Sequence, residues 1–444
     1  MSVDAQRQMQ LEAAPAADSG IGLGRYRWLV CSLLFFATTV NYVDRQILSL
    51  LKPLLDQELH WSNSQFGQVN AAFQAAYALG LLLFGKQIDR IGTKLGYGVS
   101  IAAWSIAAML HAAVSSVGGF AFARAALGLG EGGNFPSAIK AVAVWFPRRE
   151  RALATALFNS GANVGAILAP ATIPWLAAVG GWRLPFLVAG AAGFVWLLAW
   201  RVLYDVPEQS TRLSARELEH IRSDLDPPEP DAVGWRQLLQ LRAAWAFIVA
   251  KLLTDPVWWF FLIWLPDYFK KTRGLDLKNS WLHLVSIYAL VTVLSIAGGW
   301  LTGHWVRRGR SVNRARKTGL LLFACLVLPV WSVTRASDWG AVLLIGLAGA
   351  AHQAWSANLY TSVSDMFPKR AVASVVGLGG MAGSLGGIAF PLYAGKLLDH
   401  FEARGNITAG YGVLFAVCST AYVVAFTLHH LLAPRIEPIA ARWS

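Results

Sequence analysis

The chain has 444 residues, of which 55% are hydrophobic and 12% aromatic, with a mean hydropathy of +0.46 and a formal net charge of +13 at pH 7. A water-soluble protein of this length is rarely so apolar, so composition points to a membrane protein. No basic face interleaved with aromatics accompanies the positive excess, which argues against nucleic acid as a partner.

The chain opens on MSVDAQRQMQLEAAPAADSG, a polar stretch without the apolar core of a removable signal peptide; residues 1–25 read as a short cytoplasmic tail. A window of about 20 residues, the length that crosses a bilayer core, then finds apolar runs one after another. They lie at 28–50, 65–85, 96–117, 119–141, 152–176, 184–204, 243–268, 281–303, 317–334, 339–364, 371–395 and 410–432. Such runs are far too long for barrel strands of about ten residues, and in lipid only helices or closed barrels satisfy every backbone group. The predicted fold is an all-α polytopic membrane protein of twelve transmembrane helices. Residues 26–204 form a first six-helix bundle, 205–241 a polar cytoplasmic linker with a surface helix near 214–225, 242–433 a second bundle, and 434–444 a C-terminal cytoplasmic tail.

With the N-terminus inside, the inward loops receive GKQIDRIGTK, WFPRRERA, VRRGRSVNRARK and MFPKRA, the positive-inside asymmetry that orients a protein in its membrane. KKTRGLDLK at 270–278 is an exception, since it falls outside. The three cysteines, Cys31, Cys325 and Cys418, sit singly in apolar runs and fit small core residues better than a disulfide framework or a metal site.

A shift of 221 residues lays WFPRRERA on MFPKRAVA, and without a gap brings Gly165 onto Gly386 and Pro170 onto Pro391. Two bundles of parallel topology follow, an arrangement that in transporters places the substrate site between the halves near the midplane.

Several motifs carry a resemblance. GKQIDRIGTKLG, between spans two and three, resembles the loop motif of the major facilitator superfamily, with Gly85, Asp89, Arg90 and Gly92 at its gating positions. Its counterpart TGHWVRRGRS keeps Arg307 and Gly309 but has Val306 in place of the acid. NYVDRQ, GLGEGGNFPSAIKAVAVWFPRRERA, LTDPVWWFFLIWLPDYF and SDMFPKRAVASVVGLGGMAGSLGG are similar to the anion:cation symporter family, and within it to bacterial hexuronate transporters. The resemblance covers nearly the whole chain from residue 26.

Ionisable groups at membrane depth cost roughly 2.5 kcal/mol or more each, so they pair or face a wet cavity. Arg124 and Glu131 lie two helical turns apart, about 10 Å along one face of span four, too far to pair directly. Asp44 and Arg45 are adjacent in span one and point about 100° apart. The arrangement expected from this spacing sets Asp44 beside Arg124, leaves Arg45 facing the cavity, and puts Glu131 farther from a cation. A guanidinium meets a carboxylate through two parallel hydrogen bonds, which makes Arg45 an anion hook. The resemblance implies that Arg45 holds the substrate carboxylate while Asp44, Arg124 and Glu131 take part in proton coupling. Static glue between helices is the competing reading for Asp44 and Arg124.

Glycines at 128 and 132, at 161 and 165, and at 379, 383 and 387 have the spacing of close helix packing. Tyr77, Asn159, Asn163, Trp355 and Asn358 are candidate substrate contacts, since hydroxyl-rich ligands need donors, acceptors and an aromatic face; each serves equally well between helices. The 221 shift sets His352 opposite Glu131, a second titratable candidate for coupling, although a lone histidine is more often a satisfied helix partner. Lys251 and Asp255 have salt-bridge spacing and read as a structural pair that can lend charge to the site. Trp258, Trp259 and Trp264 read as lipid or packing aromatics, one of which can reach the substrate.

The function expected is proton-coupled symport of a sugar acid, a hexuronate before an aldonate or a glucarate-type diacid, by a monomer in the lipid bilayer. An organophosphate exchanger wants two cations converging on a dianion. A drug effluxer wants proline directly after a glycine in span five, where Ala166 stands instead. No nucleophile–base pair, metal spacing or phosphate loop is found in the spans, so neither an enzyme nor a cofactor is expected.

Overall fold

The computed structural model describes residues 25–223, 235–275, 277–367 and 369–439. Residues 1–24 and 440–444 of the predicted tails and the linker residues 224–234 lie outside them. So do the side chains at 85, 89 and 307, which belong to the predicted gating motif and its counterpart.

The first half comprises α1 (Tyr26–Leu59), α2 (Asn63–Ile91) and α3 (Thr93–Leu110), then a fourth span in two pieces, α4 (Val117–Glu131) and α5 (Asn134–Trp145), then α6 (Arg148–Gly180) and α7 (Arg183–Leu203). The linker holds α8 (Ala215–Arg222). The second half comprises α9 (Arg242–Arg273), α10 (Leu277–Arg307), α11 (Val312–Val327), α12 (Asp338–Met366), α13 (Lys369–Glu402) and α14 (Ile407–Leu432). Eight helices among the described residues carry stretches long and apolar enough to cross a membrane. The predicted spans outside that set are the first, second and tenth, whose polar side chains lower the mean, and the fourth, whose two pieces of 15 and 12 residues are each too short; they carry Arg45, Tyr77, His352 and Glu131.

Local chemistry sets the helix ends. Ser62 and Gln65 form a reciprocal capping box that starts α2, and Ser116 accepts from the Gly119 N–H to start α4. Gly92 turns the chain between α2 and α3 at φ 84°, a conformation in which an L side chain is strained. The fourth span, predicted as one helix, breaks at Gly132–Gly133, directly after Glu131.

In the first half α1 packs on α6 and α2 on α4; in the second, α9 packs on α13 and α10 on α12, the same pairs displaced by six spans. The internal repeat predicts this correspondence. Close backbone approach explains the paired glycines. A Cβ at Gly161 or Gly165 would strike the main chain of Phe35 or Thr39 in α1, and one at Gly128 or Gly132 the main chain of Phe73 or Gly80 in α2. Of the cysteines, Cys31 and Cys418 are buried as expected for core residues, whereas Cys325 is exposed.

The halves meet through α2 and α13, α6 and α10, and α1 and α9. Polar ties between them gather where α1 passes into α2. Lys52 of α1 donates to Asp267 of α9 at 2.9 Å, to Asp56 at 2.7 Å and to Asn63 at 3.1 Å, while the Tyr411 hydroxyl donates to Asp267 at 2.5 Å. The N–H groups of Asn63 and Ser64 donate to Asp399 of α13 at 2.7 and 2.8 Å, so a carboxylate of one half caps a helix of the other. Lys271 reaches Glu402 at 2.8 Å and Arg273 reaches Asp338 at 2.9 Å. Two cations of KKTRGLDLK, the stretch at odds with the charge asymmetry, are therefore held by carboxylates.

At the opposite end, Glu217 of α8 accepts from the Tyr26 and Arg27 N–H groups at 3.2 and 3.1 Å, docking the linker on the start of α1. Burial pushes the Glu150 carboxyl up, but Arg27 at 2.8 Å and His220 outweigh it and hold the group below its ordinary range.

Candidate functional site

Four buried charged residues of the first half, Asp44, Arg45, Arg124 and Glu131, come together near one level of α1. The Arg45 Nε donates to Glu131 Oε2 at 2.7 Å, joining α1 to the last residue of α4, and both side chains are almost wholly enclosed. Around the guanidinium stand the rings of Tyr77 at 4.4 Å, Tyr42 at 5.2 Å, Phe73 at 5.5 Å and Trp259 at 5.6 Å. Aromatic faces attract such a cation, each by about 0.5–2 kcal/mol. Three of those rings come from the first half; Trp259 comes from α9, so Arg45 lies where the halves meet.

One expectation about this cluster needs correction. Glu131 is not remote from a cation but is the partner of Arg45. Asp44 and Arg124 lie near enough for their charges to act on each other, but Arg124 directs its hydrogen bond elsewhere: its terminal nitrogen donates to the Arg45 carbonyl oxygen at 3.1 Å, and its guanidinium lies 5.4 Å from the Phe73 ring. The physical reason is register. Spacing along one helix fixes which residues share its face but not which level of the neighbouring helix they meet. Opposite the end of α4, that level carries Arg45.

The cluster is rich in unused hydrogen-bonding capacity. Both Asp44 carboxylate oxygens, Glu131 Oε1, Arg124 Nε and both amide atoms of Asn41 are buried without a hydrogen-bond partner. Buried polar groups are ordinarily satisfied, so such a concentration sets this cluster apart from the rest of the bundle. With two cations and two carboxylates, the set is balanced in charge.

The predicted second-half residues are placed differently. Lys251 and Asp255 form the expected pair at 2.8 Å, with the ammonium 4.8 Å from the Tyr360 ring centroid. His352, expected to face the cavity opposite Glu131, lies inside its own half: Nδ1 shares a 2.5 Å hydrogen bond with the Tyr422 hydroxyl, and the ring stacks on Trp258 at 5.4 Å. Trp355 is fully buried, edge-on to Tyr422. The Asn358 amide donates to the Arg316 carbonyl at 2.9 Å. In the first half, Tyr77 and Asn163 are half-buried and Asn159 is exposed. In the loop motif, Arg90 is exposed and Gly92 makes the turn; Lys140 of α5 donates to the Ile88 carbonyl beside it at 3.0 Å.

Sequence reasoning missed the Tyr42, Phe73 and Trp259 enclosure and the Lys52–Asp267 tie. Lys52 and Asp56 stand four apart in the first helix, and Asp267 interrupts an apolar run, signals of buried charge that were there to find.

Residues 34–391 match the profile of the Major Facilitator Superfamily. The hexuronate transporter of Escherichia coli K12 is 31% identical over 404 residues, covering 88% of this chain and 90% of its own. The D-galactonate transporter of Escherichia coli O6:H1 is 29% identical over 396 residues, covering 85% of this chain and 90% of its own. A bacterial homologue of the human lysosomal transporter Spinster, solved inward-facing and occupied, superposes with a TM-score of 0.74 at 17% identity, over 93% of this chain and 98% of that one. The chain belongs to the major facilitator superfamily: it is a polytopic membrane transporter of two six-helix bundles, not an enzyme.

Proposed function

We propose that this transporter takes up a monovalent sugar acid, glucuronate or galacturonate first, together with a proton, by alternating access. The Arg45–Glu131 ion pair carries the reading. A guanidinium already seated on one carboxylate, and enclosed by aromatic rings at the junction of the halves, is suited to accept another. A substrate carboxylate that takes Arg45 displaces Glu131. An anion stripped of its counter-ion in a water-poor site is costly, and a proton on Glu131 removes that cost. The site's charge is then the same before and after: cation with Glu131 carboxylate, or cation with substrate carboxylate and neutral Glu131. Substrate and proton therefore load together.

Asp44 and Arg124 extend the relay in this reading. Asp44, with no hydrogen bond of its own, is a second proton acceptor, and Arg124 steadies α1 at the level of Arg45. Tyr77 and Asn163 line the path beside Arg45, Asn159 farther along it. Lys251 is neutralised by Asp255, which leaves Arg45 as the cation for a single carboxylate and disfavours a diacid or a phosphate ester. His352, Trp355 and Asn358 act as scaffold in the second half. The motif at Gly85, Asp89, Arg90 and Gly92 gates the end where the linker docks, with both termini in the cytoplasm. Two relatives of nearly equal identity, named for a hexuronate and for an open-chain aldonate, keep galactonate as the second reading.

Uptake of labelled glucuronate into proteoliposomes, with and without an inward proton gradient and with galacturonate, galactonate and glucarate as competitors, tests this. Gradient-driven accumulation blocked best by galacturonate is expected. Best competition by galactonate would move the substrate to the aldonate, and accumulation indifferent to the gradient would overturn the coupling.

A further inference from the structure

One face of α2 carries Asn63, Gly67, Asn70 and Gln74, at helical spacings of four, three and four, and that face lies on α13. Contact can be followed along it. Asn63 holds Glu402, and Gly67 lies against the main chain of Pro391. One turn further along α13 is Gly387, where an added Cβ would come within 3.2 Å of Trp259 Cδ1 and 3.4 Å of Gln74 Cδ. Past that point an added Cβ at Gly383 or Gly379 would lie nearest Asp255 or Phe247 of the same half, and one at Gly380 or Gly377 would meet nothing within 4 Å. Gly387 is thus the last of these glycines whose added Cβ would meet a first-half side chain, and it lies between Gln74 and Trp259.

That end point is chemically unfinished. Gln74 is 1% exposed, yet its Oε1 has no hydrogen-bond partner. The Trp259 ring stands 5.6 Å from the Arg45 guanidinium. A cation, an unused acceptor and an aromatic plate thus converge from both halves where the path closes. Together they complement a carboxylate borne on a hydroxylated ring: the carboxylate on Arg45, a hydroxyl donating to Gln74 Oε1, and the C–H face against Trp259. We propose that Gln74 and Trp259 form the floor of the substrate site and set its preference for hydroxylated acids, with Gly387 as the position whose missing side chain lets them meet. This rests on the sugar-acid reading above and names the residues that recognise the sugar.

The test compares two ring acids of similar size, glucuronate and the hydroxyl-free cyclohexanecarboxylate, by their inhibition constants against labelled substrate in proteoliposomes. Gln74→Leu is expected to weaken glucuronate about tenfold, the weight of one buried hydrogen bond lost, and to change cyclohexanecarboxylate less than about twofold. Trp259→Leu weakens both acids, because both present an apolar face. Should Gln74→Leu fail to fold, Gln74→Asn, which keeps the amide but draws it back, is expected to show the same selective loss at about threefold. Equal weakening of both acids in the Gln74 variants, or no change in either, overturns the assignment while leaving the sugar-acid reading standing. Wild-type protein that binds neither acid overturns both.

Discussion

Helix α1 is held at two heights by buried ion pairs of nearly equal length, Arg45–Glu131 at 2.7 Å and Lys52–Asp267 at 2.9 Å. They differ in what else touches them. Lys52 has three partners, and Asp267 also accepts from the Tyr411 hydroxyl, so the pair that spans the two halves is fully ligated. The pair within the first half has a Glu131 oxygen without a partner, beside an Asp44 with neither oxygen bonded. A saturated buried pair resists exchange, because any new partner must displace several hydrogen bonds at once. An unsaturated one can trade partners at little cost. Lys52–Asp267 thereby ties the halves together, and the contrast supports the proposal that Arg45–Glu131 handles the cargo.

The sharpest way to break that comparison is Arg45→Gln. It removes the charged donor and leaves Glu131 buried and unpaired, so initial uptake should fall by about a hundredfold or more, the worth of two charge-assisted hydrogen bonds. Arg45→Lys, a point charge without the fork, should fall between the variant and wild type. Uptake within about threefold of wild type in Arg45→Gln would remove Arg45 from the cargo path.

Glu131→Gln should come next. The amide can still face Arg45 but carries no exchangeable proton, so accumulation against a gradient should fall by about tenfold or more while exchange of labelled for unlabelled substrate continues. Concentration of substrate by this variant would sink the proton role of Glu131.

Lys52→Met probes the other pair. Removing one partner of a buried pair costs about 3–5 kcal/mol, here taken from the state in which the α1–α2 end is closed. A cysteine placed at Ser64, in a background lacking Cys31, Cys325 and Cys418, should react with a membrane-impermeant maleimide about tenfold faster in this variant. Lys52→Met with Asp267→Leu should restore slow labelling, because no charge is left stranded. Unchanged labelling in the single variant would mean that the capping of α2 by Asp399 closes this end without Lys52.

Much of this organisation is legible in the sequence. Continuous apolar runs give the spans, and the 221-residue shift gives the helix pairing, because both are properties of one strand of text read against helix and bilayer dimensions. The charged residues of spans one and four were also readable as a functional group, since lipid makes each of them expensive. Their partners were not. Which residue of α1 bonds to Glu131 depends on how α1 and α4 are displaced along each other, which spacing within either helix does not give. The enclosure by Trp259 depends on the closure of one half on the other. The break after Glu131 was half visible, as a Gly-Gly step whose effect on a membrane helix depends on the packing around it.

The smallest expected effect belongs to His352. The internal repeat sets it opposite Glu131, and by symmetry alone it would titrate in the path. The second half instead encloses it: Tyr422 takes one ring nitrogen, Trp258 covers a face, and the Tyr422 hydroxyl lies 3.3 Å from the Thr254 carbonyl. A ring so held ties α12 to α14 and α9, and an amide can replace its hydrogen bond. His352→Gln should therefore change uptake less than about threefold and leave its dependence on external pH where it was, whereas His352→Leu, which leaves the tyrosine hydroxyl only its longer bond to the Thr254 carbonyl, should lower thermal stability by about 1 kcal/mol. A shifted pH profile in the glutamine variant would carry proton handling into the second half and make the two bundles more alike in chemistry than their buried partners suggest.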